Sequence, residues 1–95
     1  MFYFQIHCKP QQENLYFTEI EGAYVTVLID FKDEEGAHQL AIYYVSKEKW
    51  DIIEITDSFE VEENALRASK EHEEVYAHMK NCGMGLKYHL YYGDE

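Results

Sequence analysis

The run HEEVYAH, residues 72–78, sets two histidines and a glutamate on what reads as a helix. A zinc-protease helix needs its histidines four residues apart, because roughly 100° per residue then brings both imidazoles to one face beside the glutamate. His72 and His78 are six apart, which turns them about 120° from each other around the helix. No third ligand follows at a suitable distance. Glu74, His78 and Cys82 do step by four along one flank, but ligands spread over two turns of a single helix do not converge on an ion without a further ligand from elsewhere. They read as an exposed Glu74–His78 pair beside a thiol. His72 falls in the middle of an apolar stripe of Ala65, Ala68, Val75, Tyr76 and Met79, where a histidine is expected to serve the core and bond a tyrosine or a carbonyl.

Nucleophilic chemistry finds little footing. Cys82 lies at a helix C-terminus, whose negative end raises a thiol pKa. Cys8 adjoins His7, but neighbours on a strand face opposite ways. Ser46, Ser58 and Ser69 occupy no strand–turn–helix elbow. Gly83 and Gly85 follow a helix, whereas a phosphate loop precedes one. Asp30 ends the strongest strand and is expected in the turn after it. The reading is of a protein with no catalytic residue, no metal ligand set and no required cofactor, hence not an enzyme.

The elements that would position any site follow from periodicity. Phe2, Phe4, Ile6 and Cys8 alternate with Tyr3, Gln5, His7 and Lys9, a half-buried strand. Pro10 and the polar residues after it make a turn, and a short strand is expected over 15–20, broken at Gly22. Ala23, Val25, Val27, Ile29 and Phe31 alternate with Tyr24, Thr26, Leu28 and Asp30, a strand apolar on both faces and therefore central. Asp33 should cap a helix whose first turn holds Glu34 and Glu35. Ala37, Leu40, Ala41, Tyr44 and Val45 supply its stripe, with Trp50 at its exit. Ile53, Ile55, Phe59 and Val61 mark another strand. A second helix over 62–82 should end at Gly83. Leu86, Tyr88, Leu90 and Tyr92 mark a last strand. This order predicts an α+β fold: a two-layer α/β sandwich with a mixed four- to five-stranded sheet and two helices on one face, ferredoxin-like in general architecture.

Ninety-five residues predict a single domain over 1–95. A net charge of −11, from 19 acids against 8 bases, argues against nucleic acid and anionic lipid, since both are bound by displacing counterions with lysine and arginine. The first ten residues lack the cationic start of a signal peptide, two cysteines do not make a disulfide framework, and no apolar run reaches the roughly 20 residues of a spanning helix. A cytoplasmic location is expected.

What remains is aromatic surface: nine tyrosines, five phenylalanines and one tryptophan. With both helices over the face of Val25, Val27, Ile29, Ile53, Ile55, Leu86 and Leu90, the opposite face should show Tyr3, Tyr24, Leu28, Ile52, His89 and Tyr91, with His7 and Thr26 among them. Such a face suits protein association, because tyrosine offers large contact area at low entropic cost.

The stretch 29–55, IDFKDEEGAHQLAIYYVSKEKWDIIEI, and the stretch 76–92, YAHMKNCGMGLKYHLYY, resemble a family of small bacterial α+β proteins with no assigned activity. The shared pattern is an aspartate at a strand end, an Ala and Leu-Ala register in the helix, a tryptophan before the next strand, and a closing helix, glycine (Gly83) and aromatic strand with a histidine (His89). Lys49 stands where that pattern has glycine. The resemblance implies a fold and no function. The expected role is therefore a non-catalytic protein-binding or self-associating module, a homodimer. The alternatives are a small-molecule-binding regulatory domain or an acidic inhibitor of immunity type.

Overall fold

The computed structural model describes residues 1–14 and 18–92. Its elements are β1 (Phe2–Pro10), β2 (Gly22–Ile29), α1 (Glu34–Lys47), β3 (Trp50–Glu60), α2 (Glu63–Arg67), a 3₁₀ turn (Lys70–His72), α3 (Glu73–Cys82) and β4 (Met84–Tyr91). The strand expected over 15–20 lies partly outside the described residues, and Thr18 and Glu19 form a turn. No helix among the described residues is long and apolar enough to cross a membrane.

One four-stranded sheet, ordered β3–β1–β2–β4, holds the described strands together. Every adjacent pair is antiparallel, so the sheet is not mixed. The reason is topological: β1 lies between β2 and β3, so the crossover through α1 joins two strands that share a direction without touching. The next connection runs back across the whole sheet to β4, antiparallel to β3, and the handedness rule for parallel crossovers does not govern it.

That return passes over the other face. Ala37, Ala41 and Val45 of α1 are buried with Phe4, Ile6, Val25, Val27 and Ile29. Leu66, Val75 and Met79 from α2 and α3 are buried with Leu28, which points the opposite way along β2. The two helical layers therefore sandwich the sheet, and the expected placement of both helices on one face is corrected. Being apolar on both sides, β2 needs cover on both.

Two further expectations change for local reasons. The helix expected over 62–82 is broken at Ala68–Ser69, where Ser69 is extended and its hydroxyl lies 3.0 Å from His72 Nδ1. A serine bonding nearby polar groups competes with helical continuation. As a result Ala65 and Ala68 are exposed and Leu66 is buried instead. In β3 the register against β1 slips twice, between the partners of Gln5 and Ile6 and of His7 and Cys8. Ile53 and Thr56 are the extra residues of these bulges. Ile52 then faces α1 opposite Cys8, Ile53 turns out to solvent, and Phe59 lies with Tyr3 on the far face.

The ends of α1 and α3 form as expected. Asp33 accepts a 2.8 Å hydrogen bond from the Gly36 N–H, and Gly83 adopts a left-handed φ of 83°. Lys49 has φ 68°, a left-handed conformation that glycine adopts more readily. Its carbonyl accepts from Gln11 N–H at 2.9 Å and Asn14 Nδ2 at 3.1 Å, bonds that hold the strained turn in place. Left-handed backbone costs a lysine roughly 1 kcal/mol, partly offset by the larger unfolded-state entropy of glycine. Lys49→Gly should thus gain about 0.5 kcal/mol in urea unfolding, and a loss of stability would contradict the strain.

Candidate functional site

The far face of the sheet is a register of four rows, read from β3 through β1 and β2 to β4. At the first level Asp51 pairs with Lys9 and Gly22 with Tyr91, and Glu54, His7, Tyr24 and His89 form the second row. Asp57, Gln5, Thr26 and Lys87 form the third, and Phe59, Tyr3, Leu28 and Gly85 the fourth. The helices α2 and α3 and the 3₁₀ turn between them cover the fourth row and border the third, where Thr26 is buried, leaving an open ledge over the first two.

The ledge is built around aromatic rings. His7 stacks on Tyr24 with centroids 4.5 Å apart, and His7 Nε2 lies 2.6 Å from the Tyr91 hydroxyl. The Tyr91 ring occupies the space above Gly22, where any Cβ would strike it. Desolvation raises the pKa of Tyr91 above the ordinary tyrosine value, with smaller contributions from Tyr24 and Glu21. Below them Gln5 Oε1 accepts from Thr26 Oγ1 at 2.9 Å and from the Tyr3 hydroxyl at 3.3 Å. The first of these bonds satisfies the hydroxyl of Thr26, which is buried. Rings that are stacked and bonded in this way present a preorganised contact surface.

Of the six residues expected on an open face, the structure brings Tyr24, His89 and Tyr91 together on the ledge. Tyr24 is 39% exposed. Tyr3 is half-buried beneath the helices, stacked on Phe59 at 4.6 Å and edge-on to His72 at 5.6 Å. Leu28 is 0% exposed and Ile52 packs on the α1 side. These last two cannot belong to a surface with the others. His7 joins the site at its centre, as its alternation with Ile6 and Cys8 indicated.

Other candidates resolve into local structure. Ser69, His72 and Asp57 line a cavity of about 290 Å³ with Tyr3, Phe59 and Leu66. Here the Ser69 hydroxyl and the His72 ring meet side chain to side chain across the 3₁₀ turn. His72 is half-buried and bonded to a serine, where a tyrosine or carbonyl was expected. Glu74 approaches Lys87 at 3.9 Å. No group of three histidine, cysteine or acidic side chains is placed to hold a metal among the described residues. The Cys8 thiol is pushed up to about 12 by burial, which makes it a core group. On the α1 side, Trp50 stacks on Tyr88 at 5.4 Å beside a cavity of about 520 Å³. The Tyr88 hydroxyl is buried without a hydrogen-bond partner among the described residues.

The two sheet edges differ sharply. The β3 edge carries Asp51, Glu54, Asp57 and Glu60 and both bulges, the devices that discourage strand addition. The β4 edge, MGLKYHLY, has no acid and one formal charge, Lys87, and pairs with β2 without a register slip. Helix α1 lies over the other three strands without closely approaching β4, so Leu86, Tyr88 and Leu90 form a partly open apolar strip, with Leu90 37% exposed. In a chain where one residue in five is acidic, an acid-free eight-residue strand was a signal already present in the sequence.

No protein-family model, no curated protein and no solved structure matches the chain.

Proposed function

We propose that the chain is a non-catalytic protein-binding module that associates with itself, using the β4 edge and the adjoining ring ledge. The observation that carries this reading is the contrast between edges: β3 is defended by bulges and four acids, whereas β4 has an apolar strip, no acid and no further strand beside it among the described residues. Such an edge is a template for another strand. With a net charge of −11, two copies repel except where acids are sparse, and β4 is that place. A reducing, cytoplasmic setting suits its two free thiols, Cys8 and Cys82, and the shortage of cations favours protein over nucleic acid.

Light scattering after size exclusion tests this. Twice the 11.3 kDa chain mass is expected as concentration rises into the micromolar range, and a monomer throughout would remove the proposal.

The β3 acids favour a second reading, the masking of a cationic protein surface. Its mark would be association with a basic protein that weakens steadily as salt is added.

A further inference from the structure

The geometry points to one assembly: β4 pairs antiparallel with β4 of a second copy about a twofold axis at Tyr88, giving a continuous eight-stranded sheet. This inference rests on the self-association reading and gives it a register.

The ladder decides which groups are available. Asp30 N–H donates to Gly83 C=O at 2.9 Å in the register that also sets Leu28 opposite Gly85 and Thr26 opposite Lys87. Antiparallel ladders alternate, so odd-numbered residues of β4 bond β2, while the N–H and C=O of Leu86, Tyr88 and Leu90 point away from the sheet. A second β4 running the other way presents the same alternate groups. An edge that is its own complement makes a closed isologous contact.

Charge and bulk then choose the register. A centre at Lys87 would set two ammonium groups face to face. A centre at Leu86 would bring both α3 helices, packed over Gly85, to the same level on strands about 4.8 Å apart, although a helix is about 10 Å wide. A centre at His89 or Leu90 shortens the paired stretch.

Centring on Tyr88 sets Leu86 against the partner's Leu90, Lys87 against the partner's His89, and Gly85 against the partner's Tyr91. No acid of β4 is opposed, because β4 has none. The two α3 helices lie at opposite ends of the paired strands. Each one, covering Gly85 of its own chain, comes to stand beside Tyr91 and His89 of the other, where the ledge is open. The covered half of one copy thus abuts the open half of its mate.

The test uses the full chain in a Cys82→Ser background, which removes the exposed thiol. Lys87→Cys and His89→Cys chains are prepared separately, mixed, left to exchange and oxidised. These positions form a non-hydrogen-bonded pair with Cα atoms about 4.5 Å apart, within disulfide reach. The expected result is a covalent dimer containing one chain of each kind, in excess over either chain with itself. In parallel, Leu90→Pro removes an outward N–H that bonds nothing in β2, and should shift the scattering mass from dimer to monomer while circular dichroism keeps the native spectrum. A dimer that fails to give the mixed disulfide overturns the register and leaves self-association standing. A monomeric parent chain overturns both.

Discussion

Leu28→Ala is expected to cost about 3 kcal/mol of folding stability, the range for a fully buried leucine whose cavity cannot collapse. The side chain is wholly enclosed by Leu66, Val75 and Met79, with Met1, Tyr3, Val61 and Tyr76 around them. Collapse is blocked from behind, because β2 is an inner strand whose other face is packed against α1 through Val27 and Ile29. Only α2 and α3 could move in, and the Gly85–Val75 contact already sets α3 against the sheet. Urea unfolding should show a lower midpoint with an unchanged slope, since the surface exposed on unfolding is nearly the same. Amide exchange should quicken first in α2 and α3, the elements that lose their anchor. By contrast Tyr24→Ala, on the open ledge two rows away on the same face, should cost under about 1.5 kcal/mol. A Leu28→Ala cost below that of Tyr24→Ala would mean that the helices do not lie on this face.

The same pair shows what the sequence made legible. Tyr24, His89 and Tyr91 could be placed on an open surface because alternation along β2 and β4 is unbroken. Leu28 shares that alternation and is nevertheless sealed, because burial there depends on where a later helix returns. The pattern did carry a warning: β2 is apolar on both faces, and a two-layer arrangement would have left Leu28 bare. Asp33 and Gly83 were readable because a cap is local chemistry, decided within three or four residues. The parity of β3 was not readable. Two bulges reverse it twice between Ile52 and Ser58, and neither Ile53 nor Thr56 differs in type from an ordinary strand residue. The break at Ser69 was not readable either, since the apolar stripe runs on past it and the Ser69–His72 contact that accompanies it is made between side chains. The open edge on β4 required knowing which strand is outermost, a property of topology alone.

Gly85→Ala should cost about 3 kcal/mol, the upper range for forcing extra volume into a packed site. A Cβ there would land on the Val75 carbonyl oxygen and come within 3.0 Å of Val75 Cγ2. The obstacle is helix backbone, which cannot rotate aside as a side chain can. Either α3 lifts from the sheet, stripping cover from Leu28, or β4 shifts and weakens its ladder to β2. Two other glycines calibrate the result. At Gly83 nothing lies within 4 Å of an added Cβ, so its alanine bears only the left-handed φ of 83°, about 1 kcal/mol. At Gly36 the obstacle is the exposed ring of Phe31, which can swing away. Thermal unfolding should therefore rank Gly85→Ala lowest, by more than about 10 °C below the parent at this chain length, then Gly83→Ala, then Gly36→Ala. If Gly85→Ala melts no lower than Gly83→Ala, α3 does not press on β4. The partner's Tyr91 would then have no helix to stand beside, and the twofold arrangement would lose the contact that distinguishes its register.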